Sequence, residues 1–140
     1  MRAVLPLFFF VLGTLTAYAQ PANDNCTGAV SLSLSATCGT NVFTNIGATT
    51  SNIGTNNSPS CFNGGTTQRD VWFSFTTPAD TRQVTITVKG VGNGPNTKAI
   101  VNPQIAIYRG TCTGLSQIGC VSAANGSSEV RLDATMLTPN

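Results

Sequence analysis

The chain has no histidine, and that absence removes a large set of enzyme chemistries at once. Ser-His-Asp and Cys-His machinery both need an imidazole as base. Zinc sites lose their usual nitrogen ligand, and the five cysteines show no C-x-x-C spacing to compensate. Charge is scarce as well, with seven Lys and Arg and five Asp and Glu scattered singly along 140 residues. A nucleic-acid surface needs a basic stripe and an anionic-lipid anchor needs a Lys/Arg cluster, and neither is present. A carboxylate pair would need no histidine, but the five acids sit in no recognisable motif. The segment is therefore expected to be non-enzymatic.

What is present begins with an export signal. Arg2 supplies a positive start, Ala3 to Leu15 form an apolar run too short to span a membrane comfortably, and Ala17-Tyr18-Ala19 places small residues at the cleavage point. Residues 1–19 are expected to be a signal peptide cut before Gln20, and residues 20–140 a single domain delivered outside the cell or to its surface. The processed domain keeps Arg69, Arg82, Lys89, Lys98, Arg109 and Arg131 against Asp24, Asp70, Asp80, Glu129 and Asp133, which is close to neutral. It has no membrane span, and its polar surface comes from Ser, Thr, Asn and Gly.

Apolar residues recur with the period of two that a pleated strand requires, and no segment reads as a helix. Val30 to Ser35 alternates three aliphatics with serines. Val42, Phe43 and Ile46 mark a weaker second strand. Asp70 to Thr76 sets Val71, Phe73 and Phe75 on one side, with Trp72, Ser74 and Thr76 on the other. Gln83 to Lys89 sets Val84, Ile86 and Val88 inward against outward threonines. Pro103–Arg109, Leu115–Val121 and Glu129–Asp133 add three more. Turn formers such as Pro78-Ala79-Asp80, Arg109-Gly110 and Asn125-Gly126 separate them. The pattern predicts an all-β fold, an antiparallel β-sandwich or jelly roll of about seven to eight short strands. Gly47 to Thr67 is polar and irregular, and is expected to be a surface excursion tied down at Cys61.

Five cysteines are an odd number for an oxidising compartment. Cys112 and Cys120 flank a short hairpin and are the first expected disulfide, and Cys38 with Cys61 the second. Cys26 is left unpaired. Leu137-Thr138-Pro139-Asn140 reads as a turn without its following strand, so the domain is expected to be cut short, with the partner of Cys26 beyond residue 140.

Three segments carry a resemblance. Pro21-Ala22-Asn23-Asp24-Asn25-Cys26, Asp70-Val71-Trp72-Phe73-Ser74-Phe75, and Ile105 to Cys112 followed by Cys120 together resemble the pre-peptidase C-terminal-like β-sandwich modules of bacterial secreted and cell-surface proteins, often cargo of type IX secretion. The Tyr-rich strand that normally follows in that family is not in this sequence. The resemblance implies a non-catalytic accessory, spacer or binding module, acting in adhesion or in carbohydrate or protein recognition. Its partners are then downstream domains of the same polypeptide, a carbohydrate or a surface protein. The alternative is the N-terminal domain of a secreted protease or glycosidase whose catalytic part lies beyond residue 140.

Two sets of side chains are candidates for a site. Asp24 and Asp70, with Asn23 and Asn25, offer oxygen ligands of the kind calcium takes, although no EF-hand or repeated D-x-D spacing accompanies them. No other cofactor is expected. Trp72 and Tyr108 each lie opposite the aliphatics of their own strand, and each is either a contact platform for a ligand or packing for the second face of the sandwich.

Overall fold

The alternating runs at 83–89, 103–109, 115–121 and 129–133 become strands. The runs at 30–35 and 70–76 keep only Val30–Ser31 and Phe73–Ser74 in strand, with Leu34 left 38% exposed. In a computed structural model, described over residues 19–35, 37, 39, 41–51, 53, 59–62, 69–91, 99–135 and 137, a single 3-10 turn, Cys26–Gly28, precedes six strands. These are β1 (Val30–Ser31), β2 (Phe73–Ser74), β3 (Gln83–Lys89), β4 (Gln104–Arg109), β5 (Ser116–Ser122) and β6 (Glu129–Thr135). Residues 1–18 of the expected signal peptide and Cys38 fall outside the described residues.

The core forms between two antiparallel pairs. β3 pairs with β6 from Gln83 opposite Thr135 to Lys89 opposite Glu129, and the hairpin β4–β5 lies between them in sequence. Alternation then decides what each pair buries. Val84, Val130 and Ala134 from β3–β6 meet Ile105 and Ile107 from β4, with Leu137 completing the cluster. Ile86, Val88, Val121, Leu132 and Phe75 pack around them. A Cβ on Gly119 would stand 3.4 Å from Leu132 Cδ2, so the glycine opposite Ile107 leaves the room into which Leu132 packs. The result is a β-sandwich.

The opposite face of β3–β6 is polar. There the Thr85 hydroxyl and the Arg131 guanidinium both donate to Asp133, and together they hold its carboxyl below the usual carboxylate range.

Three expectations need correction. First, β1 and β2 pair in parallel, Val30 opposite Phe73 and Ser31 opposite Ser74, so the fold is not purely antiparallel. A parallel pair needs a long crossover, and the stretch from 32 to 72 provides one. Second, Val42, Phe43 and Ile46 form no strand. The chain turns at Asn45–Ala48, where the Ala48 N–H bonds the Asn45 carbonyl at 3.1 Å and Gly47 adopts φ 81°. The apolar residues that suggested a strand stay exposed, Val42 at 63% and Ile46 at 52%.

Third, the disulfides are Cys26–Cys112 and Cys61–Cys120, replacing both expected pairs and giving Cys26 a partner inside the chain. Geometry forbids the local Cys112–Cys120 bond. Cys120 lies inside β5 opposite Ala106, whereas Cys112 lies in the turn beyond Ser116. Four residues of strand already span about 13 Å, and a disulfide tolerates Cα atoms only up to about 7 Å apart. The excursion after Gly47 is tied down at Cys61, as its sequence predicts, but to β5.

Candidate functional site

Because β4 alternates, Ile105 and Ile107 enter the core while Ala106 and Tyr108 face away from it. Something must cover that second face. The turn Pro59–Phe62 does so, and among the described residues the links that hold it come from β5. Cys61 is bonded to Cys120. The Gln117 amide donates to Ser60 Oγ at 2.7 Å and its carbonyl accepts from the Ser60 N–H at 3.0 Å. The Ser122 hydroxyl donates to the Cys61 carbonyl at 2.6 Å. A β-bulge makes the Gln117 clamp possible. The register shifts between Ile107, opposite Gly119, and Tyr108, opposite Gln117, which leaves Ile118 as the extra residue and brings Gln117 to the covered face.

The other wall comes from the segment leading into β2. The Trp72 backbone is fixed on both sides, its N–H donating to the Asn23 carbonyl at 2.8 Å and its carbonyl accepting from Val30 N–H at 3.1 Å and Asn23 Nδ2 at 3.0 Å. Its indole N–H donates to Ser51 Oγ at 2.8 Å, which fixes the ring plane. Two carboxylates hold the loop that carries Ser51. Asp24, only 3% exposed, accepts from the Thr49 N–H at 2.6 Å and from the Thr49 hydroxyl at 2.7 Å. Asp70 Oδ1 accepts from the Ser51 N–H at 2.8 Å. Arg69, at φ 56°, turns the chain immediately before Asp70, and its carbonyl accepts from Asn45 Nδ2 at 3.2 Å.

Between these walls lies a partly open cleft of about 80 Å³, lined by Ile53, Pro59, Phe62, Asp70, Val71, Trp72, Ala106 and Tyr108. The Trp72 and Tyr108 ring centroids are 6.1 Å apart with the planes tilted by 36°. Of the four candidate side chains, the fold thus brings three together, Asp70, Trp72 and Tyr108. The fourth, Asp24, is withdrawn beneath the loop, where both of its oxygens serve Thr49. Among the described residues no group of three or more acidic or cysteine side chains is disposed to hold a metal ion.

Phe62, Pro59 and Ile53 had not been singled out in the sequence. They come from the irregular excursion, where no periodicity exists to be read. The available signal was indirect, because Phe62 adjoins Cys61 and must follow wherever that disulfide leads.

Burial pushes the Tyr108 hydroxyl above the ordinary tyrosine value of 10.0, and the negative charge of Asp70 adds to the rise. The fold therefore favours the neutral phenol. Its contribution to stability is complete below a pH of about 10 and is lost as the pH climbs through the raised value. Of the two tyrosines, Tyr18 lies in the expected leader, so tyrosinate absorbance in the processed chain reports Tyr108 alone. Titration is expected to give a midpoint above that of free tyrosine, lowered partway by Asp70→Asn. A midpoint at the free value would mean that the ring is not packed in the cleft.

A family model described as galactose binding domain-like, of the kind associated with type IX secretion, matches residues 22–136. No curated protein and no solved structure matches the chain. The match shares with the resemblance drawn from the motifs a secretion-associated β-sandwich, but it is to a galactose-binding-like domain and not to the pre-peptidase C-terminal-like modules. No helix among the described residues is long and apolar enough to cross a membrane.

Proposed function

The chain belongs to the galactose binding domain-like family associated with type IX secretion, and from that premise we propose that it is the saccharide-binding accessory module of an exported protein. The observation that carries this reading is the cleft, in which the indole of Trp72 and the phenol of Tyr108 flank a carboxylate. Sugars present C–H faces that stack on aromatic rings and hydroxyl edges that donate to carboxylates, so the three side chains match the two surfaces of one ring. Rigidity supports the same reading. The Ser51 bond holds the indole and the Cys61–Cys120 staple holds the opposite wall, so little ordering remains to be done on binding.

The one acidic side chain of the cleft lining, Asp70, acts here as a hydrogen-bond acceptor, and the proposed role is recognition without bond cleavage. Downstream domains of the same polypeptide would supply any chemistry, the module holding them at a glycan surface.

Trp72 is the sole tryptophan of the chain, so its emission reports the cleft without labelling. Titration with a panel of neutral, basic and acidic saccharides is expected to give a saturable change for at least one of them, abolished in Tyr108→Ala while the protein stays folded by circular dichroism. A flat response across the panel, together with no retention on a glycan array, would refute saccharide binding.

A further inference from the structure

The cleft is electrically one-sided. Asp70 contributes a half-buried carboxylate, and its Oδ2 accepts no hydrogen bond among the described residues, Oδ1 alone being engaged by Ser51. The ion pairs of the described residues are Lys89–Glu129 and Arg131–Asp133, both on β3 and β6 and neither involving Asp70. The neutral rings can add a partial potential of the same sign, because the face of an indole or phenol carries the negative lobe of its quadrupole. Trp72, Tyr108 and Phe62 line one space with Asp70. Aromatic rings around a carboxylate form the environment that recognises ammonium groups. At about 80 Å³ the cleft takes a head group and part of a ring, not a whole oligosaccharide.

Building on the saccharide reading, we infer that the cleft selects a cationic sugar, one whose ring bears a free ammonium group lying over the Trp72 and Tyr108 faces with the Asp70 carboxylate as counter-charge. N-acetylation removes the charge and replaces it with bulk that the cleft is too small to welcome. An acidic sugar meets Asp70 as a like charge. The selectivity is therefore expected to run from amino sugar through neutral sugar to uronic acid.

The test uses the processed, disulfide-bonded protein and its Asp70→Asn variant, whose amide oxygen can still accept from the Ser51 N–H and so preserves the loop. Trp72 emission is titrated with glucosamine, N-acetylglucosamine, glucose and glucuronic acid, and in parallel with n-butylammonium and arginine. Glucosamine is expected to bind about tenfold more tightly than N-acetylglucosamine, a preference in the range that cation–π and charge-assisted contacts supply. Asp70→Asn should erase that preference, weakening glucosamine far more than glucose, which loses only the charge assistance of one hydrogen bond. Equal affinity for glucosamine and its N-acetyl form, or a preference that survives in Asp70→Asn, overturns the inference while leaving the saccharide reading intact. Asp70-dependent binding of n-butylammonium with no response to any sugar overturns the saccharide reading and retains the charge selection. Silence from every probe overturns both.

Discussion

Replacing Cys26 and Cys112 with serine lowers the stability of the processed protein by about 2–5 kcal/mol, read as a fall in the urea midpoint with the slope retained. The size follows from the span of the bond. Its sequence separation is 86, and loop-closure entropy for such a span is about 4.6 kcal/mol. Cys61–Cys120, with a separation of 59, comes to about 4.3 kcal/mol on the same basis. The two losses differ in what they do to the cleft. Cys26–Cys112 joins the 3-10 turn to the tip of the β4–β5 hairpin, and neither cysteine lines the cleft. Cys61–Cys120 holds the wall that carries Pro59 and Phe62. Serine at 61 and 120 should therefore weaken ligand binding under conditions where the protein is still folded, and serine at 26 and 112 should not. An unmoved urea midpoint for either pair, or a peptide map joining Cys112 to Cys120, would contradict this.

Asp24→Ala costs about 2–4 kcal/mol, although the residue lies outside the cleft. Hydrogen bonds to a charged group contribute roughly 1.5–3 kcal/mol each, and Asp24 makes two, which share the one partner Thr49 and so contribute less than their sum. The substitution leaves the Thr49 N–H without its acceptor and frees the loop that delivers Ser51 to the Trp72 indole. Two changes are expected together, a lower thermal midpoint and weaker ligand binding. Asp24→Asn keeps one acceptor oxygen and should fall between the two proteins. If Asp24→Ala melts like the parent, Thr49 is not anchored as described. Thr49→Val tests the same link from the other side, since it removes the hydroxyl donor and leaves the backbone bond.

The strands that pair in the core were legible because their alternation is strict. Gln83–Lys89 has the bounds expected of it, and its inward residues Val84, Ile86 and Val88 all join the core cluster. Glu129–Asp133 runs on through Thr135, where Ala134 continues the same buried face. The site was half legible by the same rule. Asp70 and Trp72 are two apart, as are Ala106 and Tyr108, so each pair shares a face of an extended chain. What periodicity does not state is that the two faces meet. That juxtaposition depends on the bulge at Ile118, the parallel pairing of β1 with β2, and a disulfide between residues 59 apart. Each is a long-range event without a local signature.

The cysteines illustrate the point most clearly. Proximity in sequence favoured Cys112 with Cys120, yet an extended strand keeps nearby residues apart while folding brings distant ones together. Val71 and Trp72 both line the cleft although alternation assigns their side chains to opposite faces. The ladder begins only at Phe73, and the chain before it is bent by the positive φ of Arg69.

The most direct test of the central claim is to locate the bound ligand by amide and indole chemical shifts in the isotope-labelled, processed protein titrated with glucosamine. The account predicts that the perturbed signals cluster at the Trp72 indole, Ser51, Phe62, Asp70, Ala106 and Tyr108, and saturate with a single affinity. Perturbations confined to the polar outer face of β3–β6, at Thr85, Thr87 and Arg131, or spread evenly over the surface, would contradict it.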